Sequence, residues 1–339
     1  MYRILLREYR VNILITGGAG YIGSHVLNLF SDENSEHKIF TYDNLSTGHR
    51  SSVLTGEFIQ ADLEDITTLE NVIIQNNINA VFHFAGSTDV EDSINDPVSY
   101  YKNNTLNTLN LVELCLKHNV NRFIFSSTAA VYGSPTSGVG KEGDPTTPIS
   151  PYGATKLMAE QILNDVGSAN PEFRFIILRY FNVAGAAVKG NIGPKTVGAK
   201  HLIKAACETA LGKRNQIEIF GDDYNTPDGT CIRDFIHVDD LAQAHIDALN
   251  YLEAGANSDT FNVGYGRGYS VREVLETTKK ISGSKFIAKV STRRKGDIPS
   301  LISDPSQIKK KVGWVPKNND LNLIIKTAIK WEEEEGLQH

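Results

Sequence analysis

A tyrosine and a lysine four residues apart, Tyr152 and Lys156, could carry out acid–base chemistry on an alcohol. Residues at this spacing share one face of a helix, because the fourth step nearly completes a turn. A lysine ammonium beside a phenol stabilises the phenolate, so the tyrosine can accept a proton well below its ordinary pKa of about 10. Tyr and Lys also fall at this spacing in many surface helices, so the pair predicts chemistry only together with other features.

A threonine at the end of a predicted strand supplies a third polar group. Residues 122–127 predict the strand, and Ser126-Ser127-Thr128 forms its carboxyl end. Ligands of doubly wound sheets bind at the carboxyl ends of strands, so we expect the Thr128 hydroxyl to lie where Tyr152 arrives from the next helix. A hydroxyl, a phenol and an ammonium beside a nicotinamide would remove a hydride and a proton from a carbinol. Without a cofactor loop, a cluster of capping hydroxyls would explain the same residues.

A glycine-rich loop predicts a binding site for a nicotinamide dinucleotide, which would accept the hydride. The run Gly17-Gly18-Ala19-Gly20-Tyr21-Ile22-Gly23 follows an apolar strand and opens a helix. Gly17 permits the tight turn, Gly20 lets the backbone approach a pyrophosphate, and Gly23 allows close packing of helix on strand. The unpaired N–H groups of the helix start would then face the phosphates. The alternative is an ordinary Gly-rich turn, which the strand–loop–helix context disfavours.

An acidic residue at the end of the second predicted strand selects between dinucleotides. Asp43 lies 20 residues after Gly23, where a carboxylate can accept hydrogen bonds from both adenosine ribose hydroxyls and would repel a 2′-phosphate. This favours NAD over NADP. The further positions that we expect to contact the cofactor are Tyr21, Ile22, Asn44, Asp62, Leu63, Phe84, Ala85, Gly86, Asn103, Ser126, Tyr152, Lys156 and Tyr180.

The elements that would position these groups alternate between strand and helix. Short apolar runs predict strands at residues 11–16, 37–43, 57–60, 79–84, 122–127 and 173–179, and helical patterns lie at residues 21–30, 97–118 and 151–168. Pro151 occupies a favoured first-turn position of the helix that carries Tyr152. Alternation of this kind predicts an α/β fold with a doubly wound parallel Rossmann sheet.

The pattern changes after about Asn182, where a Gly-rich loop begins. Three later helical patterns lie at residues 199–211, 271–281 and 321–335. We predict a smaller α/β substrate-binding lobe without regular sheet alternation. The expected domains are residues 1–184, an NAD-binding Rossmann domain, and residues 185–339, the smaller lobe, with a segment at about 235–264 returning to the first domain.

Composition and charge narrow the classes of function. The chain has 339 residues, is 40% hydrophobic and carries a formal net charge of -6, which argues against binding to nucleic acid or an anionic membrane. Its three cysteines are scattered, show no metal-site spacing and fit a reduced, cytoplasmic setting. We predict no metal. The first ten residues lack the apolar stretch of a signal peptide and are interpreted as a short extension before the first strand.

Several longer motifs make the chain similar to one family. They are Thr16 to His25, Tyr42 to Leu45, His83 to Gly86, Phe123 to Ser127, Ser150 to Gly153 with Lys156, Leu178 to Asn182, and Asp228 to Thr230 followed by Arg233 to Val238. From about Val11 to Trp331 the chain resembles the UDP-glucose (UDP-galactose) 4-epimerases of the extended short-chain dehydrogenase/reductase superfamily. The glycine loop and the Tyr–Lys pair mark the superfamily, whereas the motifs at 179–182 and 228–234 are more specific to the epimerases.

The resemblance implies a mechanism and a set of site residues. Tyr152 takes the proton of the sugar 4-hydroxyl while tightly bound NAD takes the hydride from carbon 4. Lys156 holds the nicotinamide ribose and lowers the pKa of Tyr152, and Thr128 bonds the reacting oxygen. The 4-keto sugar turns over while its UDP stays anchored, and the hydride returns to the other face. The implied substrate contacts are Thr128, Asn182, His201, Leu202, Phe220, Arg233, Arg294, Asp297 and Leu301. A homodimer through residues 97–118 and 151–168 is also implied.

The chain departs from the family pattern at a few positions. Ser87-Thr88 replaces a lysine that reaches a cofactor phosphate in some members, and His201 replaces an asparagine, which leaves its diphosphate contact open. Leu301 aligns with a bulky tyrosine of some members, so the pocket beside the sugar 2-substituent has room for an N-acetyl group. The enzyme is therefore a candidate to accept UDP-N-acetylhexosamines.

Three alternatives share the fold. A 4,6-dehydratase needs acidic residues directly after the strand-end threonine, and Ala129-Ala130 stand there instead. A UDP-glucuronate 4-epimerase or decarboxylase stays open, because recognition of a substrate carboxylate is hard to read from one sequence. A non-catalytic NAD-binding regulator commonly lacks the Tyr–Lys pair, which this chain keeps.

Overall fold

The computed structural model describes residues 11–32, 37–196, 200–294 and 296–335. The predicted extension at residues 1–10 lies outside this part of the chain. The strands are β1 (Asn12–Thr16), β2 (Lys38–Asp43), β3 (Glu57–Gln60), β4 (Ala80–His83), β5 (Arg122–Thr128), β6 (Val139–Gly140), β7 (Arg174–Tyr180), β8 (Asn182–Ala184), β9 (Ile217–Phe220), β10 (Ile232–His237), β11 (Asp259–Val263), β12 (Gly268–Ser270), β13 (Ala288–Ser291) and β14 (Ser300–Ser303).

All six helical regions that the sequence predicts contain helix. Within the described residues, four further helices, at residues 66–75, 90–95, 238–253 and 306–311, are additional to the prediction. The helices are α1 (Tyr21–Asp32), α2 (Ile66–Gln75), α3 (Val90–Asn95), α4 (Pro97–Tyr100), α5 (Asn107–Lys117), α6 (Pro151–Ala169), α7 (Leu202–Ala210), α8 (Val238–Glu253), α9 (Val271–Ser282), α10 (Ser306–Lys311) and α11 (Leu321–Glu335). A π-helical turn (Tyr101–Leu106) joins α4 to α5, and short 3₁₀ turns span Arg50–Ser52 and Ala129–Tyr132.

A seven-stranded parallel sheet forms the centre of the molecule, in the order β11-β7-β5-β4-β1-β2-β3. Its central strands are apolar on both faces; Ile13, Leu14 and Ile15 of β1 are all fully buried. Such strands need helices on both sides of the sheet. The order reverses between β1 and β4, so a crevice opens at the carboxyl ends of these two strands. The prediction of a doubly wound parallel Rossmann sheet is confirmed.

The last strand of this sheet comes from the second half of the chain. β11 pairs in parallel with β7 from Asp259↔Ile176 to Val263↔Tyr180. The preceding helix, α8, packs against α1 on one face of the same sheet. Residues 235–264 therefore contribute a helix and a strand to the large sheet, as the expected return segment requires. The division into domains at residue 184 stays a prediction.

The rest of the second half is built on smaller sheets. β12, β10, β14 and β6 pair in that order, β8 pairs with β10, and β9 pairs with β13. This is more regular sheet structure than the sequence predicted. The buried Asp234 carboxylate accepts hydrogen bonds from the N–H groups of Tyr265, Gly266 and Ser303, at 3.0, 2.9 and 3.1 Å. These contacts tie β10 to the residues after β11 and to β14, pairings whose partners are distant in sequence.

The predicted helix at residues 97–118 is interrupted by the π-helical turn. A π turn inserts one extra residue into a helix, and such turns occur frequently at functional sites. The buried Asn104 lies within it; its Oδ1 accepts from Ser87 N at 2.7 Å, and its Nδ2 donates to Ser87 O at 2.9 Å and Thr155 Oγ1 at 3.1 Å. This amide joins the end of β4 to α6, and the wider turn lets it do so.

Candidate active site

The phenol of Tyr152 and the hydroxyl of Thr128 meet at the carboxyl end of β5. The Ser150 hydroxyl caps α6 by accepting from Gly153 N at 3.2 Å, and Pro151 begins the helix. Tyr152 therefore lies in the first turn of α6, and it is only 7% exposed. Burial raises the pKa of Tyr152, and its hydrogen bond with Thr128 acts in the opposite direction. The expected lowering of this pKa by Lys156 is not among these contributions and stays a prediction for the cofactor-bound enzyme.

The Lys156 ammonium lies one turn further along α6. Its Nζ donates to Ser126 O at 3.1 Å and lies 4.9 Å from the centroid of the Phe125 ring. Burial lowers the pKa of Lys156 to about 8, and the Glu160 carboxylate opposes this shift. A Cβ on Gly86 would lie 3.4 Å from Nζ. The ammonium thus sits between the ends of β4 and β5, beside the crevice of the sheet.

A histidine that the sequence did not single out lies beneath the same strand ends. His245 of α8 is fully buried, and burial lowers its pKa to about 4. Its Nδ1 donates to Leu241 O at 2.9 Å, so Nε2 accepts from the Ser126 hydroxyl, also at 2.9 Å. Its ring lies 4.7 Å from the Phe84 ring, and the partly buried Tyr180 hydrogen-bonds Ser126 as well. A buried histidine in an apolar helix gives no sequence signal that separates it from a core residue.

The glycine loop is fitted tightly between the strand ends. Gly17 has a φ of +73°, and a Cβ there would lie 2.5 Å from Ala85 N. A Cβ on Gly23 would lie 2.5 Å from Gly17 O. At Gly20 a Cβ would meet Gly17 O at 3.2 Å and no other atom within 4 Å. The loop is therefore closed toward the sheet and open beside Gly20, the side on which a pyrophosphate would approach.

Asp43 connects the end of β2 to this loop. Its Oδ2 accepts from Ala19 N at 3.0 Å, and its Oδ1 accepts from Leu45 N at 2.8 Å. Burial raises the pKa of this carboxyl, whereas the two backbone N–H groups lower it. Each carboxylate oxygen has more than one acceptor direction, so both can still accept a ribose hydroxyl.

Other predicted cofactor residues lie just after β2 and β3 and at the start of α1. Asn44 Nδ2 donates to Asp62 Oδ2 at 2.6 Å, which joins two of them, and Leu63 beside Asp62 is buried. The Tyr21 hydroxyl donates to Gly185 O at 2.6 Å, and Ile22 packs against the core.

Asn103 contacts the segment that follows β4, and its contact to a cofactor pyrophosphate stays a prediction. Its side chain, predicted to touch the cofactor pyrophosphate, donates to Ser87 Oγ at 2.8 Å. Ser87 is the residue that replaces the lysine of some family members. The Asn103–Ser87 pair therefore occupies the start of the segment that follows β4, where the family contact to a cofactor phosphate is expected.

A second cluster, from the part of the chain that forms the smaller sheets, brings together four of the predicted substrate residues. Asp297 Oδ2 accepts from Arg294 Nε at 3.0 Å, and its Oδ1 lies 3.7 Å from Arg233 Nη2. Arg233 Nη1 also donates to Ile298 O at 2.8 Å. The Arg294 guanidinium lies 4.5 Å from the centroid of the Phe220 ring. A neighbouring stack, Arg293 at 4.1 Å from the Tyr224 ring, was not predicted.

Leu301 links this cluster to the turn that follows Thr128. It pairs with Arg233 between β14 and β10, and it packs in a small buried cluster with Ala129, Tyr132 and Phe181. Ala129 directly follows Thr128. The arginines and the Tyr152–Thr128 pair are thus joined through one layer of apolar side chains.

The three remaining predicted substrate residues lie on other elements. Asn182 begins β8 and is exposed. His201 is exposed and precedes α7, and Leu202 is the first residue of that helix and packs against the core. Their contacts to a diphosphate stay predictions.

In residues 11–32, 37–196, 200–294 and 296–335, no three His, Cys, Asp or Glu side chains are grouped so that they could hold a metal ion. Within the same ranges, no helix has the length and apolar character needed to cross a bilayer.

Comparison with known families adds a decisive observation. A family model described as the NAD dependent epimerase/dehydratase family matches residues 13–264, which contain the glycine loop, Asp43, Thr128, Tyr152 and Lys156. The chain belongs to this family.

Individual members of the epimerase/dehydratase family are similar over nearly the full length. The UDP-glucose 4-epimerase of Azospirillum brasilense is 48% identical over 321 residues, which are 94% of this chain and 91% of that protein. A solved structure of a UDP-Glc/GlcNAc 4-epimerase from Campylobacter jejuni is 49% identical with a TM-score of 0.84, covering 96% of this chain and 99% of that one. A UDP-glucose 4-epimerase from Brucella ovis, solved in complex with NAD, is 41% identical with a TM-score of 0.90, covering 94% and 97%.

The site fits the cofactor for which the epimerase/dehydratase family is named. The loop is open beside Gly20, the first N–H groups of α1 lack partners within the helix, and Asp43 presents a carboxylate at the end of β2. This donor and acceptor set suits a pyrophosphate and an adenosine ribose. The Lys156 ammonium lies close to Gly86, just after β4, where a nicotinamide ribose would lie in such folds.

Proposed function

We propose that the protein is a UDP-glucose 4-epimerase, which interconverts UDP-glucose and UDP-galactose with tightly bound NAD. The observation that carries this proposal is the buried contact of Tyr152 with Thr128 beside Lys156, in a chain 48% identical to a curated UDP-glucose 4-epimerase. The chemistry supplied by bound NAD is reversible hydride transfer at carbon 4 of the sugar.

The side chains of this protein would transfer the proton and orient the substrate. Tyr152 accepts the proton of the 4-hydroxyl and later returns it, and Thr128 hydrogen-bonds the reacting oxygen. Because burial raises the pKa of Tyr152, the phenolate needs a nearby positive charge, which the Lys156 ammonium supplies once its partners are in place. Arg233 and Arg294 hold the diphosphate, since guanidinium forks match phosphate oxygens. Anchoring UDP lets the sugar turn over without leaving the site.

The substrate range extends, in this proposal, to UDP-N-acetylhexosamines. Leu301 is a smaller side chain than the tyrosine of some family members, and it lies in the apolar layer that joins Ala129 to Arg233. The similarity to the Campylobacter jejuni protein, which is 49% identical and described as a UDP-Glc/GlcNAc 4-epimerase, supports this extension. A dehydratase is disfavoured because Ala129-Ala130 offer no acid or base beside Thr128.

Two further properties are proposed. A homodimer through residues 97–118 and 151–168 is supported by apolar side chains on these helices that are left exposed. A cytoplasmic location fits the three cysteines, Cys115, Cys207 and Cys231, which are all free and buried.

The test is to incubate the purified protein with UDP-galactose without added NAD. We expect UDP-glucose to form, because NAD purifies with the protein, and we expect Tyr152→Phe to reduce turnover by at least about 100-fold, since it removes the proton acceptor. The NAD content of Tyr152→Phe should match that of the wild type, which controls for folding. Formation of a 4-keto-6-deoxy sugar instead would replace the epimerase with a dehydratase.

A further inference from the structure

A buried ion pair lies one helical turn beyond the lysine of the site. Glu160 of α6 is 2% exposed and Arg179 of β7 is 7% exposed. Arg179 Nε donates to both carboxylate oxygens, at 3.0 and 3.1 Å, and its Nη2 contacts Oε2 as well. An arginine fork matches a carboxylate in this way, whereas a buried charge without its partner is strongly unfavourable.

The pair is the centre of a buried network that joins five elements. The Ser127 hydroxyl of β5 donates to Glu160 Oε1. Arg179 Nη1 donates to the Tyr132 hydroxyl at 3.1 Å, and that hydroxyl donates to Asn262 Oδ1 of β11 at 2.7 Å. The network thus connects α6, β5, β7, β11 and the 3₁₀ turn Ala129–Tyr132. Buried networks with satisfied partners specify one arrangement of the elements that they join.

Four of the five network residues lie close in sequence to a residue of the candidate site. Ser127 precedes Thr128, Arg179 precedes Tyr180, and Glu160 lies four residues after Lys156. Tyr132 ends the 3₁₀ turn that Thr128 caps through Ala130 N, at 3.1 Å. None of the network residues is among the predicted contacts to cofactor or substrate. The network residues are therefore placed to hold the elements that carry the reacting groups.

We propose that the Glu160–Arg179 ion pair is a positioning pair for the reaction, which fixes α6 against the ends of β5 and β7 so that Tyr152 meets Thr128. The proposal rests on the proposed epimerase function. Neither residue touches the reacting atoms; each acts through the helix or strand that carries a site residue. A misplacement of about 1 Å at such a site can reduce a rate by about 100-fold.

The Glu160 carboxylate also acts on the charge of the site. It opposes the lowering of the Lys156 pKa that burial causes. The other titratable groups around Tyr152 and Lys156 are His83 on β4, Tyr180 on β7 and Tyr100 on α4, which has Asp89 and Asp92 of α3 near it. Replacing Glu160 by glutamine removes the negative charge but leaves the Arg179 cation, so the Lys156 pKa should fall further.

The experiment compares Glu160→Gln and Arg179→Lys with a matched control, Glu253→Gln. Glu253 pairs with Arg122 at 3.0 Å at the other end of β5, where both side chains are partly exposed. For UDP-galactose we expect Glu160→Gln to lower kcat by about 100-fold, with KM and NAD content near wild type. The alkaline limb of its pH–kcat profile should move to lower pH by about one pH unit, because the ammonium is lost earlier.

The second variant, Arg179→Lys, separates the effect of positioning on kcat from the effect of the Glu160 charge on the pH profile. Arg179→Lys keeps the Glu160 charge paired but loses the fork, so kcat should fall while the alkaline limb stays in place. Glu253→Gln should match the wild type in both respects. An inactive wild type would overturn the proposed function and, with it, the role of the pair in that reaction, whereas the outcomes below, in an active wild type, overturn the inference alone. Folded variants of Glu160 and Arg179 with wild-type kcat and pH profile would overturn the inference, and if Glu160→Gln does not fold, unchanged kcat in Arg179→Lys does so alone.

Discussion

We propose that the side chain at position 301 helps to determine which UDP-sugars the enzyme accepts. Leu301 is buried with Ala129, Tyr132 and Phe181, directly beside the turn that follows Thr128. We expect Leu301→Tyr to lower the ratio of UDP-GalNAc to UDP-galactose turnover by about tenfold or more, because the larger ring fills the space for the N-acetyl group. Coupled assays with the two substrates measure this ratio.

Turnover of UDP-galactose serves as the control for that variant, since a tyrosine in a packed site also risks overpacking. Leu301→Met, which nearly conserves volume, should keep the wild-type ratio. A wild-type enzyme with no detectable UDP-GalNAc turnover, or a Leu301→Tyr variant with an unchanged ratio, would contradict the role of this position.

At the scale of elements, the strand–loop–helix unit from β1 to α1 depends on close backbone contact. Gly17 has a φ of +73°, and a Cβ there would lie 2.5 Å from Ala85 N. We expect Gly17→Ala to lower both the free energy of unfolding and the NAD content, because a backbone clash forces the loop away from β4. Urea unfolding and the absorbance of released cofactor measure the two effects.

Gly283→Ala is the matched control for this substitution. Gly283 caps α9 with a φ of +71°, but a Cβ there would meet no atom within 4 Å. Gly283→Ala should lower the free energy of unfolding by only about 1 kcal/mol, because a left-handed backbone conformation is unfavourable for alanine, and it should leave the NAD content unchanged. Equal losses in the two variants would show that the conformation of Gly17, and not its contact with Ala85, matters.

The elements with local signals could be predicted from the sequence. Ser150 and Pro151 mark the start of α6, and apolar runs that end in glycine or polar residues mark β1 and β5. The catalytic groups follow from these positions, because the carboxyl ends of parallel strands meet at one edge. The extra residue of the π turn at Asn104 leaves no such signal, since its stabilising contacts to Ser87 and Thr155 are tertiary.

The contacts that hold the site together could not be predicted, because they join residues that are far apart in sequence. Asp234 bonds Ser303 across 69 residues, and Tyr132 bonds Asn262 across 130. His245 reaches Ser126 from a helix of the second half. In the sequence, each residue of these pairs is only a polar residue in an apolar segment. Such a residue can equally be a buried structural partner or a contact to a ligand.

At the scale of the whole molecule, the two helical segments proposed for the dimer carry exposed apolar side chains. Val98, Leu106, Leu109 and Met158 are 62%, 48%, 42% and 47% exposed, respectively. The π turn packs against α6, so these side chains lie on adjacent helices. Exposed apolar patches on a globular protein commonly mark an interface, and a two-fold axis would bury the same patch on both copies.

We therefore expect the wild type to sediment as a dimer, and Leu106→Glu with Leu109→Glu to sediment as a monomer, because two charges per copy would be buried without partners. Sedimentation velocity at micromolar concentration measures the difference. Ile287→Glu, at a side chain that is 70% exposed on another part of the surface, should remain a dimer. A monomeric wild type would refute the dimer, and a double variant that stays dimeric would show that the interface lies elsewhere.

Because Tyr152 and Lys156 lie on α6, the same helix that carries Met158, loss of the dimer should also lower the thermal stability of the cofactor-bound enzyme.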